Sequence, residues 1–387
     1  MLGKELSFKM NKSVEAIEIS GIRKFFNKVS KYPNAISLTL GQPDFDVPSR
    51  VKNAIIKAVE DGKSKYTANA GIVELREEIS KFLKTLDINY DKDEIMITVG
   101  GSEALFSVLM GLLNKGDKVL VPSIGYPAYE SITKMLEGET VVYNLNDDFT
   151  INIDSLEEGI KNGAKVLILS YPSNPTGALL SKEDRDSLHK IIKENDVTVI
   201  TDEIYSSLCF EDNYYSVAQY NDIKDKVIYV SGFSKMFSMT GLRLGYVACN
   251  KKFLNEFIKV HQYGVSCAPS IVQWGALEGL KYCLDDVENM KNSFKERMEY
   301  VYFELVKMGF DVVKPKGAFY ILPSIKKFNM TSEEFCDKLL SEGGVACVPG
   351  SAFGNGGEGY IRISYCYSKE SLEKALKAIK QFVDTLE

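Results

Sequence analysis

The sequence is poor in the residues that build metal sites. It holds only two histidines, His189 and His261, and seven cysteines (Cys209, Cys249, Cys267, Cys283, Cys336, Cys347, Cys366) with no CxxC pair. That spacing excludes a structural zinc ribbon, so no metal is expected, and an odd, scattered set reads as reduced thiols in a cytoplasmic protein. No apolar run approaches the roughly 18–20 residues needed to span a bilayer. The opening MLGKELSFKM lacks the apolar centre of a signal peptide. A formal net charge of −6 over 387 residues gives no basic field, so neither nucleic acid nor membrane is an expected partner. Arginine is also scarce, with seven against forty lysines. In so lysine-rich a chain, an arginine can mark a position that needs a flat, two-pronged donor.

From Val51 onward, amphipathic helical patterns alternate with short apolar strands. Val51–Asp61 and Ile72–Leu86 carry apolar residues at helical spacing. Glu94–Val99, Lys118–Pro122, Lys165–Ser170, Thr198–Thr201 and Lys226–Val230 are short, rich in Val and Ile, and bounded by turn residues. This alternation predicts an α/β fold with a mostly parallel sheet and helices on both faces. Asp285–Met308 carries one apolar stripe (Val287, Met290, Phe294, Met298, Val301, Leu305, Met308) and reads as a core-facing helix that joins two units. Phe310–Pro323 and Gly344–Tyr365 then read as strands and turns of a smaller α+β domain. The expected division is 47–290 for the large domain, with 1–46 and 291–387 forming the small one and its N-terminal arm.

Ligands of such sheets sit at the carboxyl ends of the strands, and four strand ends carry chemistry. Gly100-Gly101-Ser102 precedes a helix predicted over Glu103–Leu113, which suits an anion at a helix start and equally a tight turn. Tyr171-Pro172-Ser173-Asn174-Pro175-Thr176-Gly177 frames an amide that could equally be a turn residue. Asp202-Glu203-Ile204-Tyr205 offers a carboxylate and a phenol, where the carboxylate could instead cap a helix. Ser231-Gly232-Phe233-Ser234-Lys235 is followed by Arg243, eight residues beyond the lysine and among small and apolar neighbours. An anion cup, an amide, a carboxylate with a phenol, and a lysine with an arginine together match one cofactor that has a phosphate, a phenolic oxygen, a pyridine nitrogen and an aldehyde. The GxGxxG string at Gly354–Gly359 precedes a strand and opens no helix, so it reads as a glycine-rich loop, not a dinucleotide site.

These residues resemble the class I, fold-type-I aminotransferases. The motifs are GQPDF (Gly41–Phe45), YTANAGIVELR (Tyr66–Arg76), GGSEAL (Gly100–Leu105), GYP (Gly125–Pro127), SNPTG (Ser173–Gly177), DEIY (Asp202–Tyr205), SGFSK (Ser231–Lys235), MTGLRLGY (Met239–Tyr246) and IRIS (Ile361–Ser364). They run in the family's order over nearly the whole chain. The resemblance implies pyridoxal 5'-phosphate as cofactor, with Lys235 as its covalent anchor and proton carrier. It implies Asp202 on the pyridine nitrogen, Tyr205 and Asn174 on the 3'-oxygen, and Tyr126 stacked on the ring. The phosphate would fall to Gly101, Ser102, Ser234, Arg243 and, as a further candidate, Ser231. Tyr66 would reach the phosphate of a neighbouring subunit, so a homodimer with shared active sites is expected. Arg362 would grip the substrate α-carboxylate, with Gly41 and Asn174 assisting.

Amino acid and 2-oxo acid substrates follow from the same resemblance. Ile17–Phe25, Leu38–Phe45, Lys259–Ala268 and Asp311–Ser332 resemble most the N-acetyl-L,L-diaminopimelate aminotransferases of lysine biosynthesis. Aspartate-, alanine- and aromatic-type enzymes share the cofactor motifs. The stretch His261–Val265 lacks the arginine that some aspartate enzymes place there for a distal carboxylate. The competing expectations are a carbon–sulfur β-lyase on the same scaffold, a non-catalytic regulator and a nicotinamide-dependent oxidoreductase.

Overall fold

A computed structural model gives the structure of the chain and describes residues 10–386. In chain order the strands are β1 (Ile36–Ser37), β2 (Ile95–Thr98), β3 (Lys118–Pro122), β4 (Glu139–Tyr143), β5 (Ala164–Ser170), β6 (Thr198–Asp202), β7 (Val227–Gly232), β8 (Gly245–Ala248), β9 (Tyr320–Ile321), β10 (Val345–Ala346), β11 (Val348–Pro349) and β12 (Ile361–Ser364). Seven of them form one sheet in the order β2-β8-β7-β6-β5-β3-β4. Its pairs are parallel except those made by β8, which runs antiparallel to both β2 and β7.

Side chains alternate along these strands and feed two different cores. Ile97, Leu167, Val199 and Tyr229 join one apolar cluster, while Met96, Val166, Ile200 and Ile228 join another. Both faces of the sheet are therefore covered, and this burial explains why the strands read as continuous Val/Ile runs. The chain has the expected α/β fold.

All five strands expected from the sequence form. Two further strands of the seven-stranded sheet were not anticipated. β4 is a half-exposed edge strand, and β8 starts on the last two residues of the MTGLRLGY stretch, where the preceding glycine and arginine hide a strand signal. Because β8 is inserted, the four chemically loaded strand ends are not neighbours in one run: β2 is separated from β7. The consequence is useful, since an antiparallel strand begins where its neighbours end. Gly245 pairs with both Thr98 and Gly232, which brings Arg243 to the edge that carries Gly100 and Lys235.

The helix Leu284–Lys307 presents Val287 to the main-sheet core. It presents Met290, Phe294, Met298, Val301 and Leu305 to a separate cluster built with Phe319, Phe335, Ile363 and Leu376. That second cluster covers two small sheets, β11-β12-β9 and the parallel pair β1-β10. Phe25 and Leu38 belong to it, while residues 1–9 of the N-terminal stretch lie outside the described residues. The glycine-rich loop at Gly354–Gly359 forms short 3-10 turns before β12. A Cβ at Gly354 would come 2.6 Å from the Ser123 carbonyl oxygen, so close backbone approach accounts for that glycine.

Candidate active site

Lys235 sits in a single helical turn, Phe233–Met236, that continues directly from β7. Its amine donates to the Gly41 carbonyl and lies 5.8 Å from the Tyr205 ring centroid and 5.7 Å from that of Phe319. Burial pushes this amine down to about 8; the charges of Arg362 and Arg243 act in the same direction, against an opposing influence from Cys366. A lysine so placed can be neutral near physiological pH, as a nucleophile or base must be.

Asp202 ends β6 with its carboxyl buried. Tyr129 donates to its Oδ2 at 2.8 Å and the Ile204 N–H to its Oδ1 at 3.3 Å. Burial outweighs both bonds and lifts its pKa to about 6, so a cationic partner would be favourable here. Three residues further on, the Tyr205 and Tyr320 hydroxyls are 2.9 Å apart. Burial raises the pKa of both, Tyr205 well above the usual phenol range and Tyr320 to about 12, with the Arg362 charge holding the latter down.

The helix Gly100–Leu112 begins at the end of β2, three residues earlier than the sequence pattern predicts, and its N-cap Val99 makes no side-chain cap. Gly100 has φ +75°, and a Cβ there would stand 2.6 Å from Arg243 Nη2. Arg243 has a left-handed φ of +53°, and its Nη1 donates to Thr240 O at 2.8 Å. Gly245 closes the same corner, since its Cβ would meet Gly101 N at 2.8 Å. Glycine is thus required on both sides of a cradle of free helix N–H groups with a guanidinium beside it. That donor set fits a phosphate. Ser102 is exposed at this turn, and the hydroxyl of buried Ser234 makes no hydrogen bond among the described residues.

Ser231, the further phosphate candidate, is engaged inside the sheet: its hydroxyl donates to the Glu203 carbonyl at 3.0 Å.

Across the cleft, Arg362 of β12 is only 1% exposed. Nη1 donates to Asn174 Oδ1 at 2.9 Å and Nη2 to the Thr39 carbonyl at 2.7 Å, while Nε is buried without a partner. The guanidinium lies 4.3 Å from the Tyr320 ring centroid and 4.7 Å from that of Phe353. No carboxylate of the described residues neutralises it. A buried cation in this condition is costly unless an anion arrives, so the arrangement suits a carboxylate ligand. Gly41 belongs to the same wall, because a Cβ there would strike the Tyr320 hydroxyl at 2.1 Å.

Tyr126 is half-buried, edge-on to Tyr129 at 5.7 Å, and its pKa is raised by burial and by Asp202. Tyr126 and Phe353 also line a cavity of about 1390 Å³ that opens between the segment Ala16–Lys28, the loops after β3 and β4, and the turns before β12. Tyr66 is not brought to this set; it is 87% exposed and borders a surface hollow with Trp274. Sequence reasoning missed Tyr129, Tyr320, Thr39 and Phe353. Tyr129 lies one helical turn beyond Tyr126 and could have been suspected. The other three carry no local signal. Among the described residues, no group of three or more His, Cys, Asp or Glu is placed to hold a metal, and no helix is long and apolar enough to cross a membrane.

Residues 33–379 match the family described as aminotransferase class I and II. The chain is 44% identical over 377 residues to a probable N-acetyl-LL-diaminopimelate aminotransferase of Bacillus subtilis strain 168, covering 97% of this chain and 95% of that protein. It is 40% identical over 375 residues to a probable aspartate aminotransferase of Methanocaldococcus jannaschii, covering 95% and 98%. The crystal structure of an aromatic aminotransferase from Pyrococcus horikoshii OT3 superposes with a TM-score of 0.89 at 36% identity, over 93% of this chain and 99% of that one. The chain therefore belongs to the class I and II aminotransferases, with the fold-type-I architecture of its structural neighbours.

Proposed function

We propose that this aminotransferase works on pyridoxal 5'-phosphate and that its amino donor is N-acetyl-L,L-diaminopimelate, with 2-oxoglutarate as acceptor, in lysine biosynthesis. The observation that supports the cofactor, and an α-carboxylate substrate of any side chain, is the pairing of a depressed lysine amine with a buried arginine that has no carboxylate partner and an orphaned Nε. When bound, the cofactor supplies an aldehyde for an amine and a ring that accepts electrons from a substrate α-carbon.

The chain's residues divide that work. Lys235 would anchor the cofactor, then take the proton from the substrate α-carbon and return it at the cofactor's C4'. Asp202 would hold the ring nitrogen protonated, and its carboxylate would be regained as that cation offsets burial. Tyr205 and Asn174 would donate to the 3'-oxygen, and Tyr126 would cover the ring. The cradle of Gly101 and Ser102, with Ser234 and Arg243, would take the phosphate. Arg362 would receive the substrate α-carboxylate, with Gly41 and Asn174 beside it.

Two observations favour a long substrate. A half-open cavity of about 1390 Å³, lined by Tyr126 and Phe353 but not by Lys235, Asp202 or Arg362, adjoins the site and leaves room for a long side chain. His261–Val265 contains no arginine for a short distal carboxylate. The 44% identity to a probable N-acetyl-LL-diaminopimelate aminotransferase points the same way. We further propose the two-domain division 47–290 against 1–46 with 291–387, a cytoplasmic homodimer, and Tyr66 as the residue lent to the partner's phosphate site. Its 87% exposure suits that role.

A panel of amino donors and 2-oxo acids tests the reading. N-acetyl-L,L-diaminopimelate should give the highest kcat/KM. A higher value for aspartate or an aromatic amino acid would replace the substrate. Pyruvate released from cystathionine without an acceptor would replace transamination with β-elimination.

A further inference from the structure

The segment Leu38–Gly41 forms a strap over the site, and each of its carbonyls is held by a different group. Leu38 O accepts from the Ser364 N–H at 3.0 Å, Thr39 O from Arg362 at 2.7 Å, Leu40 O from the Cys366 thiol at 3.2 Å, and Gly41 O from Lys235. Three of these four donors come from β12 and the residues just after it. Only Lys235 reaches the strap from the main sheet. The last link is temporary on the reading above, on which this inference rests, because Lys235 leaves Gly41 whenever its amine is engaged in chemistry. What then keeps the strap in register against Arg362 must come from the β12 side.

Cys366 is placed to do this. It is 1% exposed, and residues 362, 364 and 366 share one side of an extended segment, as two-residue periodicity requires. Ser364 Oγ and Cys366 Sγ are 2.9 Å apart. With the thiol hydrogen given to Leu40, the sulfur at 2.9 Å is a nearer acceptor for the serine hydrogen than the Phe319 carbonyl at 3.5 Å, and a two-step chain runs from β12 to the strap. Burial pushes the Cys366 thiol above its ordinary value, which keeps the donor hydrogen in place. Leu40 is gripped at its other end as well, its N–H donating to the Tyr367 hydroxyl at 3.2 Å.

We infer that Cys366 is a positioning residue for the substrate α-carboxylate site: its thiol pins the Leu40 carbonyl so that Thr39 and Gly41 stay aligned on Arg362 after Lys235 lets go. It does not touch the reacting atoms. Its effect is therefore on substrate capture more than on chemistry.

The test compares Cys366→Ala with Cys366→Ser in the holoenzyme, using whichever amino donor the panel ranks first. The alanine variant should raise KM about fivefold, the equivalent of one lost hydrogen bond, while kcat moves less than about twofold. Serine, which keeps a donor, should bring KM back to within about twofold of wild type. In cofactor-free protein, hydrogen exchange at the Leu40 amide should quicken in the alanine variant and slow again with serine. Either of two results overturns the inference: an alanine variant with wild-type KM, or a serine variant no better than alanine. Wild-type protein that binds no pyridoxal phosphate or moves no amino group would instead remove the underlying reading, so the two failures are told apart.

Discussion

The two walls of the site are held by different means. On the main-sheet wall, Asp202 and the Lys235 turn lie at the ends of β6 and β7, and parallel ladders fix their relative height: Asp202 stands level with Ser170 on one side and Val230 on the other. On the facing wall, Arg362 meets Thr39 from 323 residues away, and Tyr320 meets Tyr205 across 115. The first wall is a set of short local motifs on a covered sheet. The second is a crossing of distant segments tied by side-chain bonds to backbone carbonyls. Chemistry that needs fixed geometry is expected on the first, and recognition that must admit and release substrates on the second.

Substitutions on each wall test that contrast. The largest effect should come from Lys235→Ala, which removes both anchor and proton carrier: kcat should fall by about 10⁴-fold, and borohydride should trap no cofactor at position 235 by mass spectrometry. A variant that retained substantial turnover would mean the main-sheet wall does not carry the chemistry. Arg362→Ala should act on recognition instead. Loss of a buried charge-assisted contact should lower kcat/KM by the equivalent of about 2–5 kcal/mol, chiefly through KM. An unchanged substrate affinity would exclude the carboxylate grip.

Asp202 gives a pH signature in cofactor-free protein. Its pKa rises from 3.8 to about 6 on folding, so between those values the native state holds a proton that the unfolded chain has lost. The resulting contribution to stability is full below pH 4 and disappears as pH rises through 6. Asp202→Asn should therefore be more stable than wild type at pH 8 by on the order of 2–3 kcal/mol, read from urea midpoints. Lys235 slopes the other way. Its pKa falls from 10.5 to about 8, and cofactor-free protein should gain stability as pH climbs through that window. Equal pH profiles for wild type and Lys235→Met would contradict the depressed amine. The smallest change is expected for Tyr205→Phe, about 1 kcal/mol of stability from the lost bond to Tyr320, seen as a modest fall in Tm.

Legibility followed the same division. Asp202, Asn174, Lys235 and the Gly100-Gly101 turn could be singled out because each ends an apolar strand or lies within four residues of its end, and a strand end is a local signal. Arg243 was found as a motif residue, but its route to the cradle depends on β8, whose glycine-led start hid it. Ser231 was carried as a further phosphate candidate by the resemblance alone, because the sequence does not reveal which way a strand residue points. The hydrogen bond to Glu203 settles that. Tyr320 lies in Phe310–Pro323, which the sequence reads only as strands and turns, yet it touches Tyr205, Gly41 and Arg362 together.

By itself the sequence determined the α/β architecture, the order of the strand ends and the residue types at each, because hydrophobic periodicity and turn chemistry act over a few residues. Only the tertiary structure decided which side chains meet across the cleft, that Arg362 lacks a carboxylate and that the Leu38–Gly41 strap is held from two sides. Those facts depend on long-range packing and on which polar atoms burial leaves unpaired, and no local pattern encodes them.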